Sequence, residues 1–198
     1  MIMSDIKFFI ERFDLPRALK DYEAFDDMER SDLSRLFEFL RTEKDVFDRK
    51  NTYGHITGSA FLFNHDLSKV LLTHHKKVDK WLQFGGHSDG DENTLRVAYK
   101  ETMEESGIPD MSLASPGIFD IDIHLFQNKQ QKEESHWHFD VRFAFKTNVT
   151  KFKVSEESYA LEWFDREKFF RPFGNLGLNS RFIRKWEKLL KDQANNLY

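Results

Sequence analysis

Two runs of strict period-two alternation constrain this chain more than anything else in it. Phe119 to Phe126 places Phe119, Ile121, Ile123 and Leu125 at odd positions, with Asp120, Asp122 and His124 among the even ones. His136 to Phe145 places Trp137, Phe139, Val141, Phe143 and Phe145 at odd positions, with His136, His138, Asp140 and Arg142 among the even ones. Successive side chains of a strand point to opposite faces, so each run predicts a strand with one face in a core. Joined by the polar loop Gln127 to Ser135, the two form a pair whose other face carries three histidines, an arginine and three aspartates. Such a face is either solvated or the wall of a cleft, where these groups bind a phosphate, a base or a second metal.

Composition agrees with a packed core. Of 198 residues, 21 are phenylalanine, and so many large aromatics must be buried against one another. The absence of cysteine removes disulfides, thiolate metal sites and cysteine nucleophiles. A formal charge of −4 gives no reason to expect nucleic acid or an anionic membrane as partner. Asp5 and Glu11 interrupt the first apolar stretch, which has no basic start, so it does not read as a secretory signal. No window approaches the ~18 apolar residues of a membrane span. The expected location is the cytoplasm.

Residues 1–50 read as a helical extension, with Ser4 and Ser31 as N-caps and Pro16 in the first turn of a second helix. Phe8, Phe9, Ile10 and Phe13 form an apolar cluster, and Leu33, Leu36, Phe37 and Leu40 keep helical spacing. The extension is expected to pack on the main domain, 51–198, or on a second copy of the chain as a homodimer. Ile56 to Phe63 and Val70 to Thr73 read as a hairpin, and Leu161 to Phe164 as another short strand. Asp91 to Ser106 reads as a helix stopped by Gly107 and Pro109, and Asn179 to Ala194 as a closing amphipathic helix.

Chemistry concentrates between Gly85 and Ile108. Glu101, Glu104 and Glu105 are related by three- and four-residue steps, so their carboxylates leave one side of a helix and repel unless a cation offsets them. Hard oxygen ligands suit Mg²⁺ or Mn²⁺, which bind substrate phosphates as well. The Gly85-Gly86 pair lets backbone approach a ligand closely. An isolated Glu-x-x-Glu-Glu is an ordinary solvated face; the wider spacing sets this one apart.

Gly86, five residues, Glu92, seven residues, then Lys100-Glu101-Thr102-Met103-Glu104-Glu105-Ser106-Gly107-Ile108 resembles the Nudix box. Lys100 stands where arginine is usual and Thr102 where an aliphatic is usual; every acidic and glycine position matches. The Trp81 to Gly86 approach, a leading strand near Gly58 to Phe63 and Glu157 six residues before Trp163 are also similar to the family, over about residues 52 to 190. The resemblance implies an α/β fold, an α/β/α sandwich around a mixed sheet. It also implies metal-dependent hydrolysis of a nucleoside diphosphate linked to another group, a nucleotide-type small molecule. It makes Glu101, Glu104 and Glu105 metal ligands, with the Gly85 carbonyl as a further one. Glu92 would steady the loop–helix–loop and Lys100 would balance charge without an arginine's fork. The general base would be Glu104 or Glu101, or a later glutamate: Glu157 first, then Glu133 and Glu134. The polar strand face, His124, His136, His138 and Arg142, with His87 beside the two glycines, would meet the substrate.

Two other readings share this fold. His55 to Asn64, Leu71 to Thr73 and Trp81 are loosely similar to isopentenyl-diphosphate isomerase, whose chemistry calls for a cysteine acid that this chain lacks. A non-catalytic binding or regulatory module of the same fold is the other; degenerate boxes usually lose glutamates, and here all are present.

Overall fold

A computed structural model describes residues 3–127, 134–169, 178 and 180–195, with side chains from residue 6. Glu133 and Asn179 lie outside the described residues. The centre is one mixed sheet of β1 (Gly54–Asn64), β2 (Lys69–His75), β3 (Lys80–Leu82), β4 (Phe84–His87), β5 (Ser112–Leu113), β6 (Asp120–Phe126), β7 (His136–Thr147) and β8 (Ser158–Asp165). Strand β1 runs parallel to β7 from Gly54 beside Trp137 to Asn64 beside Thr147. On its other edge it pairs antiparallel with β4 near its start and with β2 near its end. The two alternating runs pair antiparallel as expected, Phe126 opposite His136 and Asp120 opposite Arg142. Strand β8 extends the sheet beyond β2 and reaches further than the four residues expected.

Alternation along β1 separates two cores. Ile56, Ala60 and Leu62 share one with Phe139, Val141, Phe143 and Phe145 of β7 and with Leu95 and Ala98 of helix α4 (Thr94–Ser106). The opposite face carries Phe61 and Phe63, which pack on Phe182, Trp186 and Leu189 of helix α6 (Ser180–Asn195). Helix α6 follows a four-residue turn, α5 (Arg166–Phe169). Phe119 joins this second cluster rather than the row of Ile121 and Ile123, because β6 begins one residue later. Toward the start of β1 the same face changes character: His55, Thr57 and Ser59 lie there, beside His138, Asp140 and Arg142 of β7. Here the sheet is left open, and a cavity forms.

The extension builds α1 (Met3–Arg12), α2 (Leu15–Lys20) and α3 (Asp27–Thr42) on the first core. Ile6, Leu15, Leu19, Leu36 and Phe39 are buried in it. Phe39 stacks on Phe139 with ring centroids 3.8 Å apart, and Phe13 meets Phe143 edge-on at 5.3 Å. The expected apolar cluster is corrected in part. Phe8, Phe9 and Phe37 are 51%, 43% and 41% exposed, because one helix face alone meets the sheet and Ile6, Ile10, Leu36 and Phe39 occupy it. The caps also differ. Asp14 and Asp26 accept from Arg17 N–H and Glu29 N–H at the starts of α2 and α3, while Ser4 and Ser31 lie inside helices. Aspartate caps as well as serine and adds charge that favours a helix N-terminus. Pro16 sits in the first turn of α2, as its fixed φ predicts.

The extension is locked by charge as well as by apolar packing. Glu29 is fully buried and accepts from Phe25 N–H, Ile121 N–H, the Tyr22 hydroxyl and, at 2.5 Å, Lys185 Nζ of α6. Lys185 also lies 3.0 Å from Asp120, which Arg181 and Arg142 hold from two other sides. Four elements therefore meet at one buried ionic knot.

Candidate active site

The helix bearing the glutamates is fixed at both ends. Asn93 caps it, its side chain accepting from Arg96 N–H at 2.9 Å, and Gly107 closes it in the left-handed region at φ 70°. Asp91 holds Arg96 through two bonds of 2.5 and 2.7 Å and accepts from Asn93 N–H. This corrects the expectation for Glu92: its side chain is exposed and has no hydrogen bond or ion pair among the described residues, because Asp91 and Asn93 already satisfy the turn. Thr102 fills its aliphatic position by turning its hydroxyl onto the Ala98 carbonyl at 2.7 Å and burying its methyl. Lys100 Nζ lies 3.8 Å from both Glu101 and Glu104, between the two charges it was expected to balance.

Strand β4 brings the two glycines against this helix. A Cβ on Gly86 would fall 2.7 Å from the Glu101 carboxylate, so only glycine leaves that carboxylate its place. Gly85 N–H donates to Glu105 Oε1 at 2.9 Å, while Glu105 Oε2 is buried without a partner among the described residues. Burial pushes the Glu105 carboxyl up to about 8, against the pull of the Gly85 N–H and with help from Glu101 and Glu157. Burial likewise raises Glu101, Lys100 opposing and Glu104 adding to the effect. Glu157, in the turn before β8, reaches the same cavity and lies 3.8 Å from His75 Nε2. Its backbone carbonyl accepts from Lys76 N–H, which ties the turn to the end of β2. Glu134 offers its carbonyl to His136 instead, and its side chain does not line the cavity.

The polar strand face forms the floor. Asp140 accepts from the hydroxyls of Thr57 at 2.9 Å and Ser59 at 2.8 Å and from Arg142 Nε at 2.7 Å. Arg142 also donates to Asp120 at 3.1 Å and Asp122 at 2.8 Å, so its guanidinium is enclosed by three aspartates. Burial works against the charge of Asp122, but Arg142 and His124 outweigh it and hold the carboxyl well below its usual range. Farther out, His124 bonds to Asp122 at 2.9 Å, and Phe126 stacks on His138 at 4.9 Å. The rings of His87 and His138 approach Nε2 to Nε2 at 3.3 Å, and those of His136 and His138 at 3.0 Å. Burial pushes His87 down to about 4 and His138 further, so these rings are neutral at pH 7.

A cavity of about 650 Å³ gathers Glu101, Glu104, Glu105, Glu157, His87, His124, His138 and Arg142 on its wall; His136 lies behind His138. Asp140 belongs to the polar face expected from the sequence, but the sequence reading missed Thr57 and Ser59 as parts of this floor and His55 in the same row. Their signal was present: His55, Thr57 and Ser59 are a polar period-two row in an otherwise apolar strand, which marks a face open to a cleft. The box donors suit a hard dication. They are carboxylates, and the buried oxygen of Glu105, unpartnered among the described residues, is the kind of group a cation would satisfy.

No family model matches the sequence, and no curated protein does. Solved structures do match in shape. A hydrolase of the NUDIX family from Clostridium perfringens superposes with a TM-score of 0.51 at 22% identity, over 71% of this chain and 97% of that one. A MutT protein from Methanosarcina mazei superposes with a TM-score of 0.52 at 20% identity, over 72% of this chain and 97% of that one. The uncovered share of this chain is about the size of its helical extension. In the remainder, with a glutamate-bearing helix laid beside a mixed sheet, the chain has the fold of the Nudix hydrolases.

Proposed function

We propose that this protein hydrolyses a pyrophosphate bond in a nucleoside diphosphate linked to another group, with Mg²⁺ or Mn²⁺ as cofactor. The observation that carries the reading is the convergence of Glu101, Glu104, Glu105 and Glu157 on one cavity around a buried, unpartnered carboxylate oxygen. Glu101, Glu104, Glu105 and the Gly85 carbonyl would hold the metal. When bound, it supplies neutralisation of the phosphate oxygens and a water of lowered pKa.

The chain's own residues do the rest. Glu157 stands at the exposed rim, on a turn tied down by Lys76, and accepts the proton of the attacking water. Glu104, half exposed beside Lys100, is the alternative base. Lys100 limits repulsion among the glutamates while they await the cation. Arg142 serves by fixing Asp122 and Asp140 rather than by gripping the substrate, since its donors are committed to aspartates. His124 and the Phe126 ring wall the outer part of the cavity, where the group beyond the diphosphate would lie.

The test is a screen of nucleoside diphosphate derivatives with Mg²⁺ and Mn²⁺, read as phosphate after coupling to a phosphatase. The reading requires release that a chelator stops and that Glu104→Gln removes. Release indifferent to both, or none from any member of the panel, would overturn it.

A further inference from the structure

We propose that His55, His87, His136 and His138 form a second site, for one transition-metal dication of the zinc type, apart from the carboxylate site. The four rings come from three adjacent strands. His55 of β1 lies opposite His138 of β7, His136 is two residues back on the same face, and His87 ends β4 on the far side of β1. One ring nitrogen from each lies within 4.8 Å of the others. Zinc–nitrogen bonds of about 2.0–2.1 Å in a tetrahedron set neighbouring nitrogens roughly 3.3–3.4 Å apart. The His87–His138 separation of 3.3 Å is already such an edge, and the His136–His138 separation of 3.0 Å is slightly short of one.

Protons do not account for the cluster. His136 Nδ1 lies 2.8 Å from the Glu134 carbonyl, which only accepts, so Nδ1 carries the hydrogen and Nε2 presents a lone pair. If His138 Nε2–H donates to that lone pair, it has none left to accept a hydrogen from His87, and its single hydrogen serves one neighbour. His55 is 1% exposed, and among the described residues neither of its ring nitrogens has a hydrogen-bond partner of normal geometry, the Asn51 backbone acting on it weakly. A buried imidazole with both nitrogens unmatched is costly. A cation facing four lone pairs resolves all of these at once, and the Glu134 carbonyl then does what outer-shell partners of metal-bound histidines do, fixing tautomer and ring. Imidazole nitrogens prefer zinc-like metals and the box carboxylates prefer Mg²⁺ or Mn²⁺, so the two sites sort their metals by ligand type. Because His87 and His138 line the cavity, a dication there would add positive charge to the wall that an anionic substrate meets.

The experiment uses untagged full-length protein, stripped by chelation and titrated with Co²⁺ in excess Mg²⁺, which occupies oxygen sites and does not compete for imidazole. Tetrahedral nitrogen-bound Co²⁺ gives strong visible bands, octahedral oxygen-bound Co²⁺ weak ones. We expect one equivalent of strongly absorbing Co²⁺, displaced by one equivalent of Zn²⁺. His136→Ala, at the partly exposed side of the cluster, should weaken Co²⁺ binding about 100-fold, with His87→Gln as a second variant, while Glu104→Gln leaves it unchanged. Circular dichroism confirms that each variant is folded. Absence of the strong bands in the wild type overturns the proposal, and so does full Co²⁺ binding by both folded histidine variants or its loss in Glu104→Gln.

Discussion

Replacing Glu105 by glutamine should make the metal-free protein more stable in neutral and mildly alkaline solution, although it removes a box glutamate. In the unfolded chain this carboxyl ionises near its ordinary 4.5; in the fold, burial lifts it to about 8. Between those values the folded state keeps a proton that the unfolded state has released. Stability is therefore full below pH 4.5 and falls as pH rises toward 8. At about 1.4 kcal/mol per pH unit the window is worth up to about 5 kcal/mol. Glutamine keeps an acceptor for the Gly85 N–H and carries no charge to desolvate. The assay is urea unfolding of both proteins in chelator from pH 5 to 9. The wild type should lose stability relative to Glu105→Gln across the range, and saturating Mg²⁺ should narrow the gap, since a neighbouring dication favours the ionised form. Parallel profiles, or a gap that Mg²⁺ leaves intact, would refute the burial argument.

Lys100→Arg should keep or raise turnover, because a fork can reach Glu101 and Glu104 together where Nζ now stands 3.8 Å from each; Lys100→Ala should lower activity or stability. Glu104→Gln should cut kcat by about 100-fold or more with an unchanged melting temperature, since that side chain is half exposed; steady-state kinetics and a thermal melt check both parts. Glu29→Gln should cost about 3 kcal/mol in urea unfolding, for it strips a buried lysine of one anion. Deleting residues 1–50 should yield aggregating protein, seen by light scattering, because Phe139 and Phe143 lose their aromatic cover.

What could be read from the sequence follows from how local each signal is. The β6–β7 pair was legible because alternation over eight to ten residues fixes both strand and facing, and the histidine-bearing face followed from it. The box helix was legible from spacing alone. Strands β4 and β5 were not, since four and two residues carry no period and their order comes from the neighbours they pair with. The start of α3 was misread, Ser31 standing in for Asp26, because aspartate and serine compete for the same capping role and tertiary packing chose between them. Phe8, Phe9 and Phe37 looked like core by residue type; which side of a helix meets the sheet is set by the surface it docks on. His55 belongs to a polar row that the sequence displays, but its meeting with His87, 32 positions away, is a product of strand order that no window along the chain contains.

The knot of Glu29, Asp120, Arg142, Arg181 and Lys185 sets a timetable for synthesis. Lys185 reaches Glu29 across 156 positions, so a nascent chain carries the acid long before the base exists. Until α6 clears the ribosome, seating α3 on β6 would sequester Glu29 and Asp120 with fewer cations than carboxylates. The helices α1 to α3, early in the sequence, therefore reach a fully paired seat only once α6 is in place, which puts completion of this knot late in folding.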